Sequence, residues 1–178
     1  FNGEIYNYRE LKETLEGESF ETASELEIML KLYRKHGEEF VSMLRGMFAI
    51  AFYDREKETL LLARDPFGIK PLYYRRTDRG IIFSSEAKAF VFDSEYESFK
   101  TTNDLVQHYF TYQYMPAKEF SQGLSILPAG HYLVFNGKTG ELSVKQYLDT
   151  MFRPVREKTY EEKKALLRET LTESVKYH

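Results

Sequence analysis

Cysteine is absent from all 178 residues, and so is tryptophan. The first absence excludes disulfides, thiolate metal sites and a cysteine nucleophile within this chain. No apolar run approaches the length of a membrane span, and no stretch reads as a signal peptide. Excess charge of one sign is also missing. Lys and Arg total 25 against 28 Asp and Glu, for a net charge of -3. Basic residues stand singly, the densest group being "YYRRTDRG" at a turn, so nucleic acid and anionic membranes are not expected partners. There is no internal repeat and no low-complexity tract. These absences lead us to expect a cytoplasmic globular protein of one domain, or one domain plus a fragment.

Aromatic residues are plentiful, with 14 Tyr and 14 Phe, and large rings in that number suit a core packed between sheets. The chain opens on the polar run "NGEIYN". Asn7 is placed to cap a short helix over "YRELKETLE", with Glu10 in the capping-box position and Gly17 as its stop. Ser24 and Glu27 in "SELE" form a second such box. Leu26, Met29, Leu30 and Tyr33 then make the apolar face of a helix ended by Gly37. "EEFVSML" reads as a further helical turn. Beyond it the period changes. "MFAIAFYD" and "TLLLARD", joined by a charged turn, predict a buried β-hairpin. "PLYY" and "IIFSS" predict two more strands about a turn at Asp78–Gly80, and "SEAKAFVF" a short helix. "TTNDLVQHYF" predicts a capped helix and "TYQYMPAKEFSQG" a loop. "GHYLVFNGKTGELSVKQY" predicts a hairpin with Asn136-Gly137 and Gly140 at positive φ. A linker is expected around "MFRPVREK". The last helix starts at a third capping box, Thr159 with Glu162, and carries a stripe of Leu167, Leu171 and Val175. Helices packed on antiparallel sheets, an α+β class, fit this order better than βαβ alternation.

Few ionisable residues fall in a chemical pattern. His36 reads as a helix C-terminal residue and His131 as a strand starter, with no metal-ligand spacing around either. Arg64 and Asp65 in "RDPFGIKP" are expected to pair inside a turn. "SSEAK" has no nearby base to activate a serine. "NGEIYN" stands apart. Gly3 permits close backbone approach, Asn2 offers amide donors, and Glu4 offers an acceptor for an ammonium group. Asn2 with the N–H of Gly3 could form an oxyanion hole. An Asn-Gly turn ahead of a capped helix accounts for the same residues.

The series "NGEIYNYREL", "SELE", "LRGMFAIAFYD", "LLARDPFGIKPLYY", "FSSEAKA" and "LPAGHYLVF" resembles glutamine-hydrolysing asparagine synthetase across almost the whole chain. Other class II glutamine amidotransferases share the Asn-Gly pair but not the full series. The resemblance implies an N-terminal nucleophile hydrolase-type fold, a four-layer αββα sandwich of antiparallel sheets, here truncated. It assigns residues 1–153 to the later part of a type 2 glutamine amidotransferase (glutaminase) domain. The family's N-terminal Cys, and an Arg that holds the glutamine carboxylate, would lie before this part. Residues 154–178 would be a linker and the first helix of an ATP-dependent synthetase domain.

By the same resemblance Asn2 and Gly3 match the oxyanion hole, and Glu4 matches the residue that binds the glutamine α-amino group. The family's second acid is an Asp in "SDxE". Glu25 stands there, with the charge kept and the arm one methylene longer. Arg64 and Asp65 match a structural motif. L-Glutamine is the implied substrate of this part, while L-aspartate and Mg-ATP would bind the absent synthetase domain, and this chain would need no cofactor. Without a Cys it is expected to be inactive alone, and to self-associate as a dimer through a sheet edge near "MFAIAFYD" or through the last helix. Two other readings keep the fold: an amidotransferase acting on a different carboxylate, and a glutaminase-like binding or scaffold module with a dead site.

Overall fold

The computed structural model describes residues 1–92, 123–151 and 157–177. The elements run β1 (Asn2–Ile5), α1 (Tyr8–Glu13), α2 (Glu25–His36), a 3₁₀ segment (Gly37–Met43), β2 (Gly46–Asp54), β3 (Thr59–Arg64), β4 (Tyr73–Thr77), β5 (Gly80–Ser84), a second 3₁₀ segment (Ala87–Phe92), β6 (Ser125–Ile126), β7 (His131–Asn136), β8 (Leu142–Gln146) and α3 (Tyr160–Tyr177). The helix expected in "TTNDLVQHYF" lies outside the described residues, as do all but the end of the loop after it and the middle of the linker. Two compact units are formed. One joins Phe1–Glu4 to Met47–Asp149, and the other joins Ile5–Gly46 to Thr150–His178.

The first unit holds both sheets, a five-stranded one in the order β1-β2-β3-β7-β8 and a three-stranded one in the order β5-β4-β6. The β2–β3, β3–β7, β7–β8, β4–β5 and β4–β6 pairs are antiparallel. The "TLLLARD" run becomes β3, a central strand whose four residues Leu60 to Ala63 are all buried. Across the β3–β7 register Leu62 faces Leu133, and both are fully buried. Side chains of this kind each stabilise the fold by roughly 1.5–3 kcal/mol. Leu72 and Leu127 extend the same cluster, with Tyr74, Ile81, Phe135 and Leu142 packed around it. β2 is no edge strand, because β1 lies beside it; among the described residues the edges of the larger sheet are β1 and β8. In the β7–β8 turn only Gly140 of the expected residues has positive φ, at +70°. Asn136 shapes the turn with its side chain, whose Oδ1 accepts from the N–H groups of Lys138 and Thr139.

At the end of β3 the chain enters a loop held from both sides. The Asp65 side chain is fully buried. Its Oδ1 accepts from the N–H groups of Phe67 and Ile69, each at 3.0 Å, and its Oδ2 from that of Lys70 at 2.9 Å. The Arg64 guanidinium donates to the carbonyls of Lys70, Leu127 and Gly68 at 2.7–2.8 Å. The two side chains divide the backbone groups between them: the anion gathers amides of the loop, and the cation gathers carbonyls of the loop and of Leu127. Gly68 has φ +65° and no room for a Cβ, which would sit 2.9 Å from the guanidinium. The Tyr147 hydroxyl closes the arrangement by donating to the Arg64 carbonyl. Burial, and then the charge of Asp65, push that hydroxyl above the usual tyrosine range.

The second unit is helical. α2 opens on the expected Ser24 cap, whose Oγ accepts from the N–H of Leu26. Glu27 reaches past Ser24 to the N–H groups of Glu21 and Thr22. These bonds, the Glu21 one foremost, hold its carboxyl below the usual range. The buried face of α2 is Ile28, Met29, Leu32 and Tyr33, while Leu26 and Leu30 are exposed. The buried face therefore shares Met29 and Tyr33 with the expected one and takes Ile28 and Leu32 in place of Leu26 and Leu30, because six apolar residues in this helix offer two overlapping stripes. Tyr33 meets Phe40 edge-on at 6.0 Å. α1 is shorter than expected, and Asn7 does not cap it. Its amide instead donates to the Met43 carbonyl at 3.0 Å and accepts from the Arg45 N–H at 2.9 Å, while the Tyr6 N–H donates to the Arg45 carbonyl. α3 begins at the expected Thr159–Glu162 box and buries none of its residues. Its end is held by Tyr177, whose hydroxyl donates to Glu10 and whose ring lies 4.9 Å from the Arg45 guanidinium. Among the described residues no helix is long and apolar enough to cross a membrane.

Asp65→Ala is expected to lower unfolding free energy by at least about 2 kcal/mol, since it removes three hydrogen bonds to a buried charged group, and bonds of that kind contribute roughly 1.5–3 kcal/mol each. Urea denaturation followed by circular dichroism measures this. A loss under about 0.5 kcal/mol would show that water can replace the carboxylate.

Candidate functional site

The opening residues form a strand, not a turn. Asn2 and Glu4 are exposed, Gly3 is half-buried and Ile5 is buried. The two-residue period of a strand puts Asn2 and Glu4 on one face. An amide and a carboxylate thus stand side by side along β1, both open to solvent. Gly3 is required by two separate constraints. Its φ is +142°, and a Cβ there would fall 2.0 Å from the Met47 carbonyl oxygen and 2.7 Å from the Phe48 Cα. Neither neighbour is the end of a flexible side chain, so β1 can approach β2 this closely only without a side chain at position 3.

Glu25 belongs to the other unit, as the first residue of α2. The structure therefore brings Asn2, Gly3 and Glu4 together by their place on one strand, and positions Glu25 separately. Its half-buried side chain lies three, four and seven residues before Ile28, Met29 and Leu32, on the packed face of the helix. A carboxylate there has to find a donor. The Ile5 N–H is that donor, at 3.2 Å from Oε2.

The remaining candidates have local roles. His36 ends α2, and His131 starts β7 with its Nδ1 at 2.8 Å from the Ala129 carbonyl. Among the described residues no group of three or more His, Cys, Asp or Glu could hold a metal ion. In "SSEAK" the Ser84 Oγ accepts from the Glu86 N–H, and Glu86 pairs with Lys88 at 2.6 Å. Arg64 and Asp65 serve the loop described above. Two residues matter here in roles that the sequence did not suggest. Asn7 fixes the backbone just after β1, and Tyr147 ties the end of β8 to Arg64. Their partners lie 36 to 83 positions away, a distance at which no sequence pattern reports a contact.

Comparison with known proteins agrees with this fold and this order of motifs. The family described as glutamine amidotransferase domain matches residues 1–148. Asparagine synthetase [glutamine-hydrolyzing] 1 of Bacillus subtilis is 36% identical over the whole chain, which covers 28% of that protein. Asparagine synthetase [glutamine-hydrolyzing] 2 of the same organism is 37% identical over 82% of the chain and 20% of its own length. A putative asparagine synthetase [glutamine-hydrolyzing] 2 of Methanocaldococcus jannaschii is 35% identical over 94% of the chain and 33% of its own length. The chain thus spans a third or less of these relatives. Among solved structures, glutamine phosphoribosylpyrophosphate amidotransferase from B. subtilis superposes with a TM-score of 0.57 at 21% identity, over 85% of this chain and 29% of that one. This likeness establishes an α+β fold of the N-terminal nucleophile amidotransferase type. With the match over residues 1–148, it shows that the chain belongs to the glutamine amidotransferase domain family.

Proposed function

We propose that this chain is the glutamine-hydrolysing part of a cytoplasmic asparagine synthetase. The observation that carries the reading is the similarity, over the whole of this chain, to part of an asparagine synthetase, joined to an Asn-Gly-Glu strand in which position 3 tolerates no side chain. In this reading the amide of Asn2 and the N–H of Gly3 stabilise the oxyanion formed when the glutamine side-chain amide is attacked. Donors held in place before charge develops need no reorganisation at the moment of reaction. Glu4 and Glu25 supply negative charge for the substrate's α-ammonium group. The nucleophile, a cysteine activated by its own free amine, comes from outside these 178 residues, since none of them is Cys. Ammonia released here is consumed by a synthetase domain that activates aspartate with Mg-ATP and gives asparagine, AMP and pyrophosphate. Residues 154–178 are assigned to the linker and the start of that domain.

Three outcomes test the proposal. The 178-residue chain alone should not release glutamate from glutamine in a coupled assay, because losing a covalent nucleophile costs several orders of magnitude in rate. Sustained turnover in a preparation free of host glutaminase would defeat this. In the full-length polypeptide, Asn2→Ala should lower glutaminase kcat about 100- to 1000-fold, with a much smaller change in KM. Normal kcat with raised KM would make Asn2 a ground-state ligand instead. Finally, α3 exposes Leu167, Leu171 and Val175, and β1 and β8 are sheet edges. The isolated chain should therefore dimerise. Sedimentation equilibrium at micromolar concentration should give twice the monomer mass, and a monomer mass throughout would exclude it.

A further inference from the structure

We infer that Glu25 is a positioning residue for the strand that carries the glutamine site, a role separate from its charge; the inference rests on the glutaminase reading above. The Ile5 N–H that donates to Glu25 Oε2 belongs to the peptide unit joining Glu4 to Ile5. That unit is planar, so a hydrogen bond at its N–H also fixes the direction of the Glu4 carbonyl and the ψ of Glu4. The Glu4 side chain springs from the Cα at the edge of this plane. Glu25 therefore sets how Glu4 is presented, and anchors the last residue of a four-residue strand whose first two are Asn2 and Gly3.

The surroundings make Glu25 a stiff support. Its helix start is fixed by the Ser24 cap and by Glu27, which takes two backbone N–H groups and a hydroxyl of the preceding loop. Its side chain stands on the face of α2 that buries Ile28, Met29 and Leu32. Ile5 is itself buried, at 1% exposure. The next two residues are also held, Tyr6 through its N–H to the Arg45 carbonyl and Asn7 through its side chain. Residues 5, 6 and 7 are thus pinned in succession, and Glu25 supplies the first pin. One carboxylate oxygen, Oε2, is committed to this bond. The longer arm of Glu relative to Asp lets a single residue serve the backbone while keeping its charge.

The two roles separate by substitution in the full-length polypeptide. Glu25→Gln removes the charge and keeps an oxygen that can accept from the Ile5 N–H. Glu25→Ala removes both. Positioning predicts that Glu25→Gln raises KM for glutamine more than it lowers kcat, and that Glu25→Ala lowers kcat a further 10- to 100-fold, the scale expected when reacting groups are misplaced by about 1 Å. Amide hydrogen exchange at Ile5 gives a readout independent of activity. It should accelerate at least about tenfold in Glu25→Ala and stay near the parent rate in Glu25→Gln. Should Glu25→Ala not fold, Glu25→Leu takes its place, keeping bulk and helix propensity without an acceptor. Equal kcat values for the acceptor-less and Gln variants, or unchanged exchange at Ile5, overturn the inference. A parent without glutaminase activity would overturn the functional reading instead, and the exchange measurement would still decide the role of Glu25.

Discussion

Three amide groups, those of Phe67, Ile69 and Lys70, converge on the buried carboxylate of Asp65, and much of the first unit is tied to that point. The Asp65 N–H donates to the Phe48 carbonyl, which locks the end of β3 to β2. The Asp65 carbonyl accepts from the Gly130 N–H just ahead of β7. The Gly130 carbonyl in turn accepts from the N–H groups of Tyr147 and Leu148 after β8. One residue therefore reaches four strands of the larger sheet through at most one intermediary. Arg64 does the complementary work, binding carbonyls on both sides of the loop and the Leu127 carbonyl beyond β6. A carboxylate and a guanidinium suit this task because each can satisfy several backbone groups at once, where a neutral side chain satisfies one or two.

The same sheet gives β1 its exacting geometry. β2 is held in register with β3 from Ala49–Arg64 to Asp54–Thr59, so the Met47 carbonyl and Phe48 Cα form a fixed wall against Gly3. Backbone donors can stabilise charge only when they cannot drift, and a wall of this kind, together with the pinned residues that follow, limits drift at both ends of the strand.

Legibility in the sequence followed the amount of apolar pattern available. β2, β3 and β7 were readable from apolar runs bounded by turn residues, and β8 from the Asn- and Gly-containing turn that precedes it. Ser24, Gly37 and the Thr159–Glu162 box marked helix ends, since capping is a local interaction among neighbouring residues. β1 was not readable as a strand: "NGEI" has one apolar residue and a glycine, and it is a strand because β2 is beside it. β6 has two residues and exists through its pairing with β4. Asn7 looked like a cap, and its true partners, Met43 and Arg45, are nearly forty positions away. The face of α2 was misjudged because Leu26 and Leu30 are as apolar as the residues actually buried. That choice mattered for the site, because the face that is buried is the one bearing Glu25. The Asn2-Gly3-Glu4 constellation was visible as chemistry, while the steric need for Gly3 and the Glu25–Ile5 bond required the fold.

α3 has 18 residues, a complete capping box at its start and no buried side chain. A helix in that condition draws its order from hydrogen bonds along its own axis and from the tether at Tyr177. Its middle turns therefore open without disturbing any core, and their free energy of opening is that of a peptide helix, far below that of β3. Among the described elements, α3 is the one that protease would cleave with no core residue disturbed. A segment so lightly anchored leaves the stripe of Leu167, Leu171 and Val175 open to whatever comes to cover it.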